Sequence, residues 1–320
     1  MSTRKQTMLQ LRRFAFLVRR LSLGVYLLEG ESAGSSLRVV VADDGSTLDV
    51  IRAVIFPNGS SVTRKGSVSA LKAPDLVAGD ADLVVVGANY LLGDLYRDRG
   101  FYVLPKYVRQ RLPVFDTPEQ TIGRLSTGVQ KDIRHKLRRM DNMGVTCELI
   151  RDPAWVETFY HEMYKPHTLS RFEELAAVSS FGDVERAFQR GGGLALKQNG
   201  VAFSASIIFP QGDVMRFPYS GTASASEELA RKGAKTVLYY NALRVAREWG
   251  CSAIDLGHTG PFLSDGVLQF KLKWGSQVLD DDDGTGYFAI AAPGQTEAAT
   301  RFLAANQFYH VTDGEMKVGV

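Results

Sequence analysis

GLALKQNGVAFSASIIFPQGDVMRFPYSGT, residues 193–222, decides the architecture. It holds three apolar runs separated by Asn199-Gly200 and by Gln211-Gly212-Asp213. Asn-Gly between apolar runs is a two-residue hairpin signal, because both central positions of the favoured turn need positive φ. The stretch therefore reads as an antiparallel meander of three strands. SASEELARKGAKTVLYYNALRVAREWG (224–250) follows as a long helical segment with Gly250 as its stop, and CSAIDLG (251–257) as a strand directly after it. A strand–helix–strand crossover makes the strand at 214–220 parallel to the one at 251–256. Ligands collect at the carboxyl ends of such strands and at the N-terminus of the crossover helix. That rule gathers Tyr219, Ser220, Asp255, His258 and the segment Arg231-Lys232-Gly233-Ala234-Lys235-Thr236 on one side of the sheet. A glycine followed by Lys and Thr at a helix start suits a pyrophosphate, favoured by backbone N–H groups and the helix dipole.

Upstream of the meander, VTCELIRD (145–152) reads as a strand, and residues 155–164 and 181–191 as helices. Thr117-Pro118-Glu119 is a helix start, with an N-cap and then Pro in the first turn. Ser126 or Thr127 caps a second helix that ends at Gly144. That helix keeps Ile133, Leu137 and Met140 on one face and carries Lys131, Arg134, His135, Lys136, Arg138 and Arg139. Its basic side is either a solvated face or a surface for an anionic donor or acceptor. The first part of the chain alternates between strands and turns. LRVVVA (37–42), LDVIRAVIFP (48–57), DADLVVVGAN (80–89) and FYVLP (101–105) read as strands, with a short helix stopped by Gly100. Residues 1–30 read as a basic amphipathic helix, docked on the domain or laid on a membrane surface or partner.

The chain has 320 residues, 45% hydrophobic and 23% charged, with a formal charge of +3. That composition is globular, and the balance is too mild to argue nucleic-acid binding by itself. Cys147 and Cys251 lie far apart with no metal-type spacing, which implies a reducing compartment and a cytoplasmic location. No apolar run reaches the ~18–20 residues of a membrane span. GVQK (128–131) does not make a phosphate loop, HEMYKPH (161–167) is not a zinc motif, and no nucleophile-elbow motif is present.

The arrangement resembles the GNAT acyltransferase fold, in particular its FemAB-like branch and the cellulose-biosynthesis-type acetyltransferases that join two GNAT-like halves. Four stretches carry the resemblance: TGVQKDIRHKLRRMDNMG, TFYHEMYKPHTLSRF, GAKTVLYYNALRVAREWGCSAIDLG and DGVLQFKLKWGS. It implies an α/β (α+β) chain with a tandem GNAT-like fold: mixed sheets with a meander, a crossover helix and a splayed parallel strand pair. Its halves would be a degenerate unit at 31–125 and an acyltransferase unit at 126–320. It also implies N-acyl or N-aminoacyl transfer. GNAT acetyltransferases show Gln/Arg-x-x-Gly-x-Gly/Ala at the pyrophosphate turn. Here the frame is Ala230-Arg231-Lys232-Gly233-Ala234-Lys235, without the leading Gln or Arg and without the final small residue. FemAB-like relatives also lose this motif, and some take aminoacyl-tRNA as donor.

Acyl transfer to an amine needs a neutral amine, a positioned activated carbonyl and donors for the developing oxyanion. The resemblance places the acyl carbonyl near residues 217–220, where Pro218 marks a bulge or an edge. His258 is a candidate base; Asp255 is another, or orients His258, or caps the turn that follows. Lys271, in VLQFKLKWG, is a lysine in an apolar setting, and a buried lysine is costly unless paired. It meets a phosphate, a carboxylate or developing negative charge, or it pairs with Asp255 or Asp265. Tyr219 protonates the leaving group or binds the acceptor. Asp265 reads as a helix cap, Trp274 as core, and at most one of Tyr239 and Tyr240 faces the site. Tyr164, His167 and Arg171, with His161, line a segment that closes over the acceptor, while Arg134 and Arg138 meet the anionic substrate. Arg231, Lys232, Gly233, Ala234, Lys235, Thr236 and Ser220 form the donor side.

The expected activity moves an acyl group from a thioester, acyl-CoA or acyl carrier protein, to a small amine or amino acid by direct attack. No permanently bound cofactor or metal is expected. The alternatives are an aminoacyltransferase using aminoacyl-tRNA and a non-catalytic binding protein of GNAT shape.

Overall fold

The computed structural model describes residues 22–45, 48–88, 92–172, 176–280, 286–312 and 315–319. The described chain forms two compact units. One takes the residues up to Val108, with Thr259–Gln269 and those from Leu279 onward; the other takes Arg109–His258 and Phe270–Val278. The boundary thus falls at 108/109, ahead of the expected 125/126, and the chain's last segment returns to the first unit.

In chain order the strands begin with β1 (Ser22–Ser32) and β2 (Ser35–Asp43), then helix α1 (Leu48–Ile55), β3 (Ser60–Ser69), β4 (Leu83–Ala88), α2 (Gly93–Arg97) and β5 (Tyr102–Pro105). β6 (Val108–Pro113) leads to α3 (Pro118–Gly123), α4 (Thr127–Asn142) and β7 (Thr146–Ile150). A helical run of α5 (Trp155–Thr158), a π-helical turn (Phe159–Tyr164) and α6 (Lys165–Phe172) precedes α7 (Phe181–Gln189). Then come the meander β8 (Gly192–Gln198), β9 (Val201–Gln211) and β10 (Val214–Thr222), and helices α8 (Glu227–Arg231) and α9 (Ala234–Glu248). β11 (Ala253–Thr259), α10 (Gly266–Lys273), β12 (Gln277–Asp280), β13 (Tyr287–Ala291), α11 (Glu297–Ala305), β14 (Phe308–Thr312) and β15 (Glu315–Gly319) complete it.

The first unit is built on a six-stranded sheet in the order β3-β1-β2-β4-β13-β5. β2 and β4 are parallel, with Val40 opposite Val84, and β13 runs antiparallel to both β4 and β5. Every residue of β4 is buried, as an uninterrupted apolar run in a central strand should be. Two expectations are corrected here. LDVIRAVIFP is not a strand: residues 48–55 form α1, with Ile51 and Ile55 buried at i,i+4. Four-residue spacing of the apolar contacts, rather than alternation, decides it. Of the expected N-terminal helix, residues 1–21 lie outside the described residues, and Ser22–Gly30 belong to β1, paired on both sides with β2 and β3.

The second unit follows the reading of 193–257. Its seven-stranded sheet runs β12-β6-β11-β10-β9-β8-β7. Asn199 and Gly200 have φ of 51° and 80°, so the Asn-Gly hairpin forms as its chemistry demands. β8, β9 and β10 make the antiparallel meander, with Ala195 opposite Ala205 and Ser206 opposite Ser220. α9 then crosses to β11, which lies parallel to β10. This meander, crossover helix and parallel strand form in the order that the sequence implied. One face of the sheet buries Phe217, Leu238, Tyr239, Leu243, Ile254 and Trp274. The other buries Phe159, Tyr164, Val184, Phe188 and Ile207 under the π-helical turn and α7.

Candidate functional site

β10 and β11 pair over three residues, Val214 with Ala253, Met215 with Ile254 and Arg216 with Asp255, and the parallel pairing ends there. On the other edge of β10 the register with β9 shifts between Arg216 and Tyr219. Phe217 and Pro218 occupy that bulge, and Pro218 has no N–H to give to a ladder. The bulge also resets which face each side chain meets. Met215 and Phe217 pack toward α9, Tyr219 packs with the opposite core, and Ser220 returns to the α9 side. The Ser220 hydroxyl lies 2.8 Å from that of Ser206 and accepts a hydrogen bond from Lys235 Nζ at 2.7 Å. Lys235 stands in the first turn of α9, half-buried, with its ammonium 5.0 Å from the ring centre of Phe217 and 5.5 Å from that of Tyr239.

Lys271 enters the same region from α10. That helix is capped by Asp265, whose carboxylate accepts from the N–H groups of Val267 and Leu268, as its position in the sequence indicates. Leu268, Lys271 and Trp274 are all buried, at three-residue spacing, so the lysine occupies a core position of the helix. It is 4% exposed, and its Nζ donates to the carbonyl oxygens of Gly257 (3.3 Å) and His258 (3.2 Å), the last turn of β11 before Thr259. Trp274 is core, packed on Tyr239, and Tyr239 rather than Tyr240 faces this region. Tyr240 instead hydrogen-bonds Glu119.

Asp255 is placed differently from either catalytic expectation. It is 1% exposed, and its Oδ2 meets Arg216 at 2.6 Å and Arg109 at 3.5 Å, while Oδ1 accepts from the Gly257 N–H at 2.8 Å. The carboxylate hydrogen-bonds the Arg216 guanidinium and the Gly257 N–H, and Arg109 adds an ion pair at 3.5 Å. The residue anchors β11 where its pairing with β10 ends, and its carboxylate does not orient His258, which lies within β11 rather than after it. The His258 side chain is exposed, and its main-chain carbonyl is what Lys271 contacts.

The donor-side segment is also engaged locally. The N–H groups of Lys232 and Gly233 bond the carbonyls of Leu229 and Ala230. A Cβ at Gly233 would lie 3.0 Å from that of Lys136, so α4 packs on the start of α9. Arg231 pairs with Glu227 and Lys232 with Glu228 as surface i,i+4 pairs, while Ala234 and Thr236 are buried. On the acceptor side, His167 and Arg171 lie on α6, within range of the Lys235 charge. Burial, then the charges of Arg171 and Lys235, hold the His167 imidazolium below the usual histidine range, against an opposite pull from Glu227. The His167 Nδ1 is enclosed without a hydrogen-bond partner among the described residues. Tyr164 is buried under Tyr219, its hydroxyl taken by the Ser179 N–H, so it is a packing residue. Burial pushes the Tyr219 phenol up. Arg134 and Arg138 are exposed on α4. Among the described residues no three His, Cys, Asp or Glu side chains cluster in the way a metal ion requires.

Ser220 and Lys235 thus meet directly, the charges of Lys271 and Arg171 reach Lys235, and that of Lys235 reaches His167. Two parts of this were not singled out in the sequence. One is Ser206, although polar Ser204 and Ser206 interrupt the apolar run of β9 at alternate positions, a signal that one face there is polar. The other is the Arg109–Asp255–Arg216 clamp, which joins residues distant in sequence and left no local pattern.

No family model matches the sequence. No curated protein matches it either. Among solved structures, FemX is 14% identical and aligns over 83% of this chain and 84% of its own with a TM-score of 0.45. The protein described as L-PGS from Bacillus licheniformis is 13% identical over 95% and 96%, with a TM-score of 0.42. A GCN5-related N-acetyltransferase from Sphaerobacter thermophilus is 9% identical over 65% and 58%, with a TM-score of 0.36.

Proposed function

We propose that the second unit transfers an acyl group from an activated carbonyl to an amine by direct attack, without a covalent enzyme intermediate. The observation that supports this reading is Lys271. A lysine at the core position of a helix, 4% exposed and directed at the end of β11, is an expensive feature that packing alone would replace with leucine. A fixed ammonium in a partly desolvated site stabilises the negative charge that develops on the carbonyl oxygen as an amine adds to it. The divergence of β10 from β11 opens the sheet beside it, and the acyl end of the donor would lie between those strands. Arg171 and His167 would hold the acceptor, and the Asp255 clamp keeps the end of β11 in place.

The donor in this reading is an acyl thioester. A second donor, aminoacyl-tRNA, is favoured by two observations. The N–H groups of Lys232 and Gly233 are already bonded, which weakens a backbone cradle for a pyrophosphate. Lys131, Arg134, His135, Arg138 and Arg139 are exposed along α4, a basic stripe suited to a polyphosphate backbone. Native mass spectrometry of the purified protein, with melting measured in acyl-CoA and in aminoacyl-tRNA, tests both. Stabilisation by one donor class is expected; no change in melting with either, at concentrations well above micromolar, would count against the transferase reading.

A further inference from the structure

Lys235 carries no role in the transfer as described, and its surroundings define one. Its stem leaves the first turn of α9, passes the rings of Phe217 and Tyr239, and ends on Ser220. Because Ser220 accepts from Lys235, its own hydrogen is available to Ser206, which is fully buried. The amine is therefore held by the half-buried Ser220 hydroxyl, backed by the buried Ser206, beyond the point where β10 and β11 stop pairing. The charges of described residues that act on it are Lys271 from α10 and Arg171 from α6, both positive. His167 from α6 shares that space and feels Lys235, Arg171 and Glu227 of α8. Burial first, then the two cations, lower the Lys235 ammonium to about 7.

We propose that Lys235 is the proton acceptor of the transfer: its uncharged amine takes a proton from the ammonium group of the acceptor, and Ser220 positions it. This rests on the acyl-transfer reading of the same site. Taking that proton frees the acceptor's lone pair, which forms the C–N bond while the carbonyl π pair moves to oxygen near Lys271. When that pair returns, the bond from carbon to the leaving group breaks and the leaving group departs with its electrons. The proton shed by the new amide nitrogen neutralises the leaving group, and the proton held by Lys235 goes to water. One proton is released per turnover. The arrangement gives the two lysines different tasks: Lys271 meets the charge that develops on the carbonyl oxygen, and Lys235 takes the proton.

The test is a pH titration of the protein labelled with 13C at the lysine side chains, followed by NMR, alongside the rate of transfer from a labelled donor. One lysine resonance should half-titrate near pH 7, where an ordinary lysine does so near about 10.4, and it should vanish in Lys235→Arg. Its uncharged fraction at neutral pH would then exceed that of an ordinary lysine by on the order of a thousandfold. The midpoint should move upward in Lys271→Met. Lys235→Arg should lower the transfer rate by about a hundredfold or more and remove the acid limb of the rate–pH profile; Ser220→Ala should shift that limb. If every lysine titrates in the ordinary range, or Lys235→Arg keeps the wild-type rate and profile, the inference is overturned and the transferase reading stands. If the folded wild type transfers nothing from either donor class, the transferase reading falls and this role falls with it.

Discussion

Replacing Asp255 by Asn separates an anchoring role from a catalytic one. The carboxylate is 1% exposed and faces Arg216 at 2.6 Å and Arg109 at 3.5 Å, whose side chains are 30% and 15% exposed. Asn has nearly the same shape and can still accept from the Gly257 N–H, so the perturbation is the loss of one charge between two guanidinium groups. Removing one partner of a buried pair costs roughly 3–5 kcal/mol. Water reaches part of Arg216, so the expected loss here is about 2–3 kcal/mol. All three tryptophans, Trp155, Trp249 and Trp274, lie in the second unit, so urea unfolding followed by tryptophan fluorescence reports on the unit that holds the clamp. The midpoint should fall without a change in slope. Adding Arg216→Met should recover part of the loss, because one stranded cation is then removed. A single variant within about 0.5 kcal/mol of wild type, or a double variant at least as unstable as the single one, would refute the reasoning.

Three further outcomes follow from the same geometry. A Cβ at Gly221 would lie 2.5 Å from the backbone of Met163 and Tyr164, so Gly221→Ala must displace β10 from the π-helical turn; a loss of about 2 kcal/mol in the same fluorescence assay is expected. Lys235 binds protons less readily folded than unfolded, so its burial penalty is full below pH 7 and disappears as pH rises toward the unfolded lysine range. Lys235→Met should therefore be more stable than wild type at pH 6, by about 2 kcal/mol after allowance for partial exposure, with the difference shrinking by pH 10; a gap that grows with pH contradicts the assignment. If α4 contacts tRNA, Arg134→Ala with Arg138→Ala should weaken binding measured by filter retention and reduce its salt dependence by about two counterions; an unchanged slope excludes that face.

The meander and crossover were legible because their signals are local. Asn199-Gly200 fixes a turn, Gly250 ends a helix, and a strand that follows a crossover must run parallel. α1 was misread because a short, largely apolar stretch serves a strand or a helix equally; the burial of Ile51 and Ile55 on one face distinguishes them. Lys271 stood out as a charge among apolar neighbours, yet its partners did not. Main-chain carbonyls of Gly257 and His258 leave no trace in residue type. Asp255 was legible in part: a cap on the residues that follow was among its expected roles and the Gly257 N–H fills it, whereas Arg109 and Arg216 come from distant parts of the sequence. Lys235 was read for its backbone at a helix start, whereas its side chain reaches the site because a bulge at Pro218 turns Ser220 toward it.

The central claim is most directly tested by the product. Wild type and Lys271→Met, both checked for folding by tryptophan fluorescence, are incubated with a radiolabelled acyl thioester or aminoacyl-tRNA and a mixture of amines. The expected result is a labelled, hydroxylamine-resistant amide formed by wild type and reduced about a hundredfold or more in Lys271→Met. An amide formed equally by both proteins would contradict the account.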